Sequence, residues 1–296
     1  MSIRNFIKFI TNIKRSDNFL GNEKFFREFL PPLELNYNSS EKNKDKYLIN
    51  FTKKYRETIV PYLIDKNKNV TPKIIDLGCG FSPLGISYLN YLLLNKKDQK
   101  EILYVGIDIN KTAINWLKKN FEKYKIFYFH EHNAHQDVNY ISLGKEKNQD
   151  LKTLSNSDGI ESKYNLPITY VPDFQLSASF FTHLTPSAVN SALNFINEIS
   201  SKNTLSINSW IIIDDESKES LIKKKADRVL DIDKGDYLTY SKVNPLLCTA
   251  YKIEKISEFY KKNGLEIIDI SRGYWRGGKQ KNIFNTKQDI IISRKI

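Results

Sequence analysis

Cysteine is nearly absent from the 296 residues: Cys79 and Cys248 stand 248 − 79 = 169 positions apart. That spacing offers no metal-binding cluster and no disulfide framework, and it suits a reducing compartment. Long apolar runs are missing as well. The longest near residue 90, Tyr88-Leu89-Asn90-Tyr91-Leu92-Leu93-Leu94, meets Asn95-Lys96-Lys97 and falls far short of the roughly 18 residues of a membrane-spanning helix. The N-terminal stretch carries Arg4 and Lys8 but no long apolar core and no small-residue cleavage site, so no secretory signal is expected. The expectation is a soluble, cytoplasmic protein. No repeat recurs at solenoid or propeller periods, and no RNA-binding module or zinc knuckle is recognisable.

Acidic residues are the minority, with 34 Asp+Glu against 46 Lys+Arg, a formal charge of +12. The excess is largely lysine scattered among Asn and Ile, a pattern as consistent with a solvated surface as with a phosphate-binding face. Nucleic acid is therefore an open but not a favoured partner. The 40% of hydrophobic residues, with 17 Tyr and 17 Phe, can build a core and exclude wholesale disorder. The length allows one large domain with an appendage.

Residues 1–46 read as that appendage, an N-terminal helical extension and linker ahead of a main domain at 47–296. Ile3, Phe6, Ile7 and Ile10 recur at helical spacing among basic residues. They form an amphipathic helix that either docks on the protein or touches a membrane surface. Pro31-Pro32 break the chain, and 38–46 is a polar linker. A helix over 47–65 leads into alternating segments: strands at 73–77, 102–109, 125–129, 174–180, 205–214, 265–272 and 289–294, and helices at 83–94, 111–121, 186–199 and 252–263. Alternating β and α with short apolar strands predict an open, mostly parallel sheet covered on both faces. The last two strands leave no room for a crossover and should pair antiparallel. The polar stretch 144–163 is either a lid or a plain insertion.

The most informative segment is Ile74-Ile75-Asp76-Leu77-Gly78-Cys79-Gly80-Phe81-Ser82-Pro83-Leu84-Gly85. A strand runs into two glycines one residue apart and then into a helix, as at the ligand crevice of open α/β sheets. An ordinary glycine-rich turn has the same look. Pro83 stands where a dinucleotide fingerprint has its third glycine, which disfavours nicotinamide and flavin dinucleotides. Tyr104-Val105-Gly106-Ile107-Asp108 then ends the next strand in a carboxylate. That carboxylate can accept both ribose hydroxyls of an adenosine ligand, or cap the helix after Asn110, or do both.

With these residues in place, the chain resembles the class I S-adenosylmethionine-dependent methyltransferases over roughly residues 70–296. The likeness extends to Ser177-Ala178-Ser179-Phe180-Phe181-Thr182-His183-Leu184, similar to a Ser-Val-Phe-Thr-His-Leu segment in a bacterial subgroup of that family, and to Gly273-Tyr274-Trp275-Arg276-Gly277 and Gln288-Asp289-Ile290-Ile291. The resemblance implies a Rossmann-like, doubly wound sheet of seven strands in the order 3-2-1-4-5-7-6, one of them antiparallel. It implies S-adenosyl-L-methionine as cofactor. Gly78, Cys79 and Gly80 would line its methionine part, Asp76 would support the turn, Asp108 would hold the ribose, Ile109 would lie against the adenine, and Asn133 would face the adenine amine. Ser82 stands where the family loop commonly has a third small glycine.

Methyl transfer to a hydroxyl benefits from a general base, and His183 is the candidate; the alternative is a structural histidine bonded to a backbone carbonyl. His130 and His132 share one strand face, as a metal pair or as plain strand-end polarity. Tyr274, Trp275 and Arg276 either pin a sugar or an anion, or cap the sheet edge. No Asn/Asp-Pro-Pro-aromatic motif of nucleobase amino methyltransferases follows Phe174. The subgroup's association with glycan biosynthesis points to a small-molecule or glycan hydroxyl as acceptor. An RNA or protein methyltransferase, and a non-catalytic adenosine-binding protein, are the alternatives.

Overall fold

The computed structural model describes residues 23–32, 44–67, 70–95, 101–132, 170–277 and 282–296. The helix expected at Ile3–Ile10, most of the linker, Asn133, His135 and the 144–163 stretch lie outside the described residues.

The main sheet has seven strands: β1 (Ile74–Leu77), β2 (Tyr104–Asp108), β3 (Phe127–Glu131), β4 (Phe174–Ser177), β5 (Leu205–Trp210), β10 (Leu265–Ser271) and β11 (Asp289–Lys295). Their order is β3-β2-β1-β4-β5-β11-β10. The four pairings among β3, β2, β1, β4 and β5 are parallel, and β11 runs antiparallel to both β5 and β10. Numbered along the chain as seven, this is the expected order 3-2-1-4-5-7-6 with one reversed strand.

Helices cover both faces, as apolar residues on both sides of each central strand require. The helices α2 (Lys44–Lys66), α3 (Pro83–Leu94) and α4 (Lys111–Asn120) pack with Ile74, Tyr104 and Leu176. On the opposite face, α5 (Pro186–Ile199) and α7 (Ile253–Lys262) pack with Ile75, Leu77, Val105 and Ile291. Local signals set the helix starts. Thr185 caps α5 with Pro186 in its first turn, and Asn110 caps α4 through Ala113 N at 3.0 Å. A short helix α1 (Glu23–Glu28) lies within the N-terminal extension; Phe26 and the following Phe29 enter the same core, and Phe29 meets Phe121 at 5.0 Å. Among the described residues no helix is long and apolar enough to cross a membrane.

Several boundaries differ from the sequence reading. The α2 helix already starts at Lys44, inside the expected linker. Strand β3 begins two residues late, because Phe127 N closes a turn onto Tyr124 O and Phe127 is the residue in register with Tyr104. Strand β4 stops at Ser177 rather than 180: Ser179 takes φ +56°, which no strand continues. The run expected as one strand over 205–214 divides at Ile211. Ile212–Ile213 (β6) leave the main sheet and pair in parallel with Tyr251–Lys252 (β9). Between them lies an insertion that sequence reading left without elements: α6 (Asp215–Ile222), and a hairpin of β7 (Ile232–Asp233) and β8 (Leu238–Thr239). Ile211, Ile213, Leu230, Cys248, Ala250 and Trp275 form its own small core.

Candidate functional site

Beyond β1 the chain turns through Gly78 at φ +74° and Gly80 at φ +53°, left-handed conformations that glycine enters without a Cβ penalty. Gly78 N and Cys79 N both donate to Ile107 O, at 2.8 and 3.0 Å, tying the turn to β2. A Cβ on Gly78 would come within 2.8 Å of the Phe180 ring, whereas one on Gly80 would meet nothing within 4 Å among the described residues. Among the described residues Gly80 therefore faces open space at the carboxyl ends of the strands.

Asp108 closes the turn. Its Oδ2 accepts Gly80 N at 2.7 Å and its Oδ1 accepts Asn110 N at 2.8 Å. A carboxylate has about four acceptor positions, which these bonds do not fill. The helix that follows is capped by Asn110, not by Asp108. Burial pushes the Asp108 carboxyl above its ordinary pKa, while the N–H groups of Asn110, Gly80 and Ile109 draw it back. Ile109 is half-buried at the lip.

Beneath the turn, Asp76 is 5% exposed. The Tyr104 hydroxyl donates to it at 2.6 Å, and the Ser82 hydroxyl stands 2.7 Å from the Tyr104 oxygen. With its one proton given to the carboxylate, Tyr104 accepts from Ser82. Desolvation raises the Asp76 pKa to about 7; the Tyr104 bond opposes this, and the charge of Asp108 adds to it. Ser82 adopts φ +57°, the conformation a glycine would supply freely, and its bond to Tyr104 offsets that strain. Gly106 completes the arrangement, since a Cβ there would press on Phe129 at 2.8 Å and on Cys79 Sγ at 3.0 Å.

The neighbouring strand β4 delivers His183. After Ser179 the chain forms a 3-10 turn over Phe181–His183, with Phe181 stacked on Trp210 at 4.4 Å. His183 Nδ1 lies 2.8 Å from Leu246 O. A carbonyl only accepts, so Nδ1 carries the proton in the neutral ring and Nε2 is the basic nitrogen. Burial holds the His183 pKa below its ordinary value; the bond to Leu246 O opposes it, and the charge of Arg228 adds a smaller lowering. The insertion's return segment clasps the same turn: Thr249 N donates to Thr182 O (2.7 Å), Thr249 Oγ1 to Phe181 O (3.2 Å), and Tyr251 OH to Leu184 O (2.6 Å).

Asp76, Gly78, Cys79, Gly80, Asp108 and Ile109 thus lie together along β1 and β2, and Phe180 against Gly78 links them to the turn bearing His183. His130 and His132 share a face as expected, in a run of stacked rings: Tyr128–His130 at 6.2 Å, His130–His132 at 6.0 Å and His132–Phe195 at 5.9 Å. Of the two readings of the 274–276 segment, Trp275 and Arg276 take the structural one. Both are buried, and both donate to Asp289, at 2.8 and 3.0 Å. Sequence reasoning missed Tyr104, although strand alternation sets 104, 106 and 108 on the face of Asp76. It also missed the Leu246–Tyr251 clasp, which no local signal marks.

No family model matches the chain. Among solved structures, it is similar to an S-adenosylmethionine-dependent methyltransferase from Clostridium acetobutylicum (13% identity, 82% of this chain and 92% of that one covered, TM-score 0.47). It is also similar to a Pyrococcus horikoshii protein (14%, 93% and 100%, 0.46) and to magnesium protoporphyrin IX methyltransferase from Synechocystis PCC 6803 with bound SAH (13%, 97% and 100%, 0.45). These values are too low to transfer a reaction, which has to rest on the residues themselves.

Proposed function

We propose that the chain is an S-adenosylmethionine-dependent methyltransferase acting on a hydroxyl of a small-molecule or glycan acceptor. Residues 47–296 would be its catalytic domain and 1–46 its N-terminal extension. The observation that carries the reading is Asp108, drawn against the glycine turn by Gly80 N and Asn110 N, with acceptor positions to spare and with Gly80 open beside it. The acceptor capacity left on this carboxylate suits a ribose hydroxyl. The cofactor, when bound, supplies an activated methyl on its sulfonium.

In this reading Gly78, Cys79 and Gly80 line the methionine part, Ile109 packs on the adenine, and Asn133 serves its amine. Asp76 holds the turn from below through Tyr104. His183 takes the acceptor hydroxyl's proton at Nε2, its ring aligned by the Leu246 carbonyl. Because its pKa is held down, the ring is in its basic form at neutral pH. The two buried thiols, Cys79 and Cys248, suit a reducing cytoplasm.

Calorimetry with S-adenosylmethionine and with its demethylated product tests the reading. Asp108→Ala should weaken binding by roughly tenfold or more, as expected when charge-assisted hydrogen bonds are lost. Unchanged affinity in the variant would remove Asp108 from the site, and a wild-type protein that binds neither compound would overturn the function.

A further inference from the structure

Among the described residues, Ser82 (φ +57°), Ser179 (+56°), Lys224 (+51°) and Asn285 (+52°) take the left-handed conformation without being glycine. The fold accounts for three of them. Ser82 is buried and bonded to Tyr104, Lys224 stands just past the C-cap of α6, where left-handed residues close helices, and asparagine tolerates the conformation. Ser179 is exposed, and a glycine would serve the backbone there at less cost. The tie from Ser179 to the sheet, its N–H donating to Ser209 Oγ at 2.6 Å, is made by the main chain and needs no side chain. The hydroxyl instead donates to Gln288 Oε1 at 3.1 Å, an exposed bond between residues 109 positions apart.

Both residues stand at the crevice. Ser179 lies just past β4, next to the Phe180 ring that packs on Gly78, and precedes His183 by 183 − 179 = 4 positions. Gln288 directly precedes β11, whose antiparallel course brings its start to the same end of the sheet, where Asp289 meets Trp210 at the end of β5. Neither side chain carries a charge. The Ser179 proton goes to the amide oxygen, so Oγ keeps acceptor capacity, and the same amide carries its Nε2–H donors alongside. A hydroxyl can give its proton to Ser179 Oγ and take one from Gln288 Nε2, whereas a carboxylate or phosphate dianion only accepts. We propose that Ser179 and Gln288 hold a second hydroxyl of the acceptor, next to the one that is methylated, and so select neutral diols. The strain at Ser179 is then retained for what its side chain recognises. The proposal rests on the methyl-transfer reading and narrows its acceptor to molecules with two adjacent hydroxyls, carried by a sugar, a cyclic polyol or a catechol ring.

Two measurements test this. The first offers labelled S-adenosylmethionine with methyl glycosides, inositol and catechol, each against its analogue lacking one of two adjacent hydroxyls, and with simple alcohols and hydroxy acids. A diol should be methylated in preference to its deoxy analogue, and the member of the set that responds identifies the carrier. Equal use of the deoxy analogue, methylation of alcohols or hydroxy acids alone, or methylation of none of the set overturns the proposal. The second measurement compares Ser179→Gly with the wild type. Glycine relieves the left-handed backbone and keeps the N–H bond to Ser209, so the melting temperature should hold or rise. The KM for the preferred diol should nevertheless rise by roughly three- to tenfold, with kcat changed less. Gln288→Leu should raise KM to a similar extent, and in both variants the preference for the diol over its deoxy analogue should shrink. A lower melting temperature in Ser179→Gly would make the hydroxyl a structural group and overturn the proposal, as would an unchanged KM. Calorimetry with S-adenosylmethionine is run alongside. A protein that binds the cofactor but shows no preference for diols loses only the Ser179–Gln288 assignment, whereas one that binds no cofactor loses the methyl-transfer reading.

Discussion

The glycine turn at 74–110 and the insertion at 211–251 both stand at the carboxyl ends of the strands, yet they are held in opposite ways. The turn is closed by side chains from its own neighbourhood: Gly80 to Asp108 and Asp76 to Tyr104 each span 28 positions. The insertion is held from far along the chain. Asp289 accepts Ile212 N, Gly273 N and Trp275 Nε1, each at 2.8 Å, and Arg276 Nη2 at 3.0 Å. Those four donors fill its acceptor positions. One buried carboxylate thus closes the seam between β6, β11 and the 274–276 turn. A ligand cradle can be written in consecutive residues because backbone N–H groups are available in any sequence. A surface that positions a side chain such as His183 from outside needs distant anchors.

The sharpest way to break this comparison is Asp289→Ala. It leaves Arg276 buried without one of its two main carboxylates and should cost about 3–5 kcal/mol, read as a drop in denaturation midpoint. A loss under about 1 kcal/mol, within the range of ordinary surface changes, would show that the insertion is held by its apolar contacts instead. Next comes His183→Ala, at the join of the two regions. If its Nε2 is the base, single-turnover rate should fall by about 10²–10⁴-fold, with cofactor affinity nearly unchanged. A lower melting temperature with turnover per folded molecule intact would make the residue a structural strut between the 181–184 turn and Leu246. The smallest effect belongs to the turn. The Asp76 pKa is raised to about 7 in the folded protein, so its neutral form favours folding. That contribution is present below the ordinary carboxylate range and is lost as pH rises through about 7. Asp76→Asn, which can still accept from Tyr104, should flatten the stability profile between these limits. A slope that persists in the variant would point to another buried group.

The difference between the two regions also explains what was legible beforehand. The alternation of strands and helices, the crevice turn and the acidic residue ending β2 are local patterns, and the strand order followed from them together with the family resemblance. Errors fell where a remote contact overrode a local pattern. The apolar run 205–214 has the look of one strand, but Asp289, 77 positions beyond Ile212, takes the Ile212 amide out of the main sheet. Trp275 and Arg276 have the composition of a ligand clamp, and the same carboxylate turns them inward.

The amino-acid order by itself therefore determined the α/β architecture, the glycine turn and the place of Asp108, because each depends on backbone geometry and on residues close in sequence. Only the tertiary structure decided that Tyr104 and Ser82 sit in a chain with Asp76 and that Leu246 orients His183. Hydrogen-bond partners and counter-charges are chosen by proximity in space, and for groups 60 or more positions apart, such as His183 and Leu246, only the completed packing brings them together.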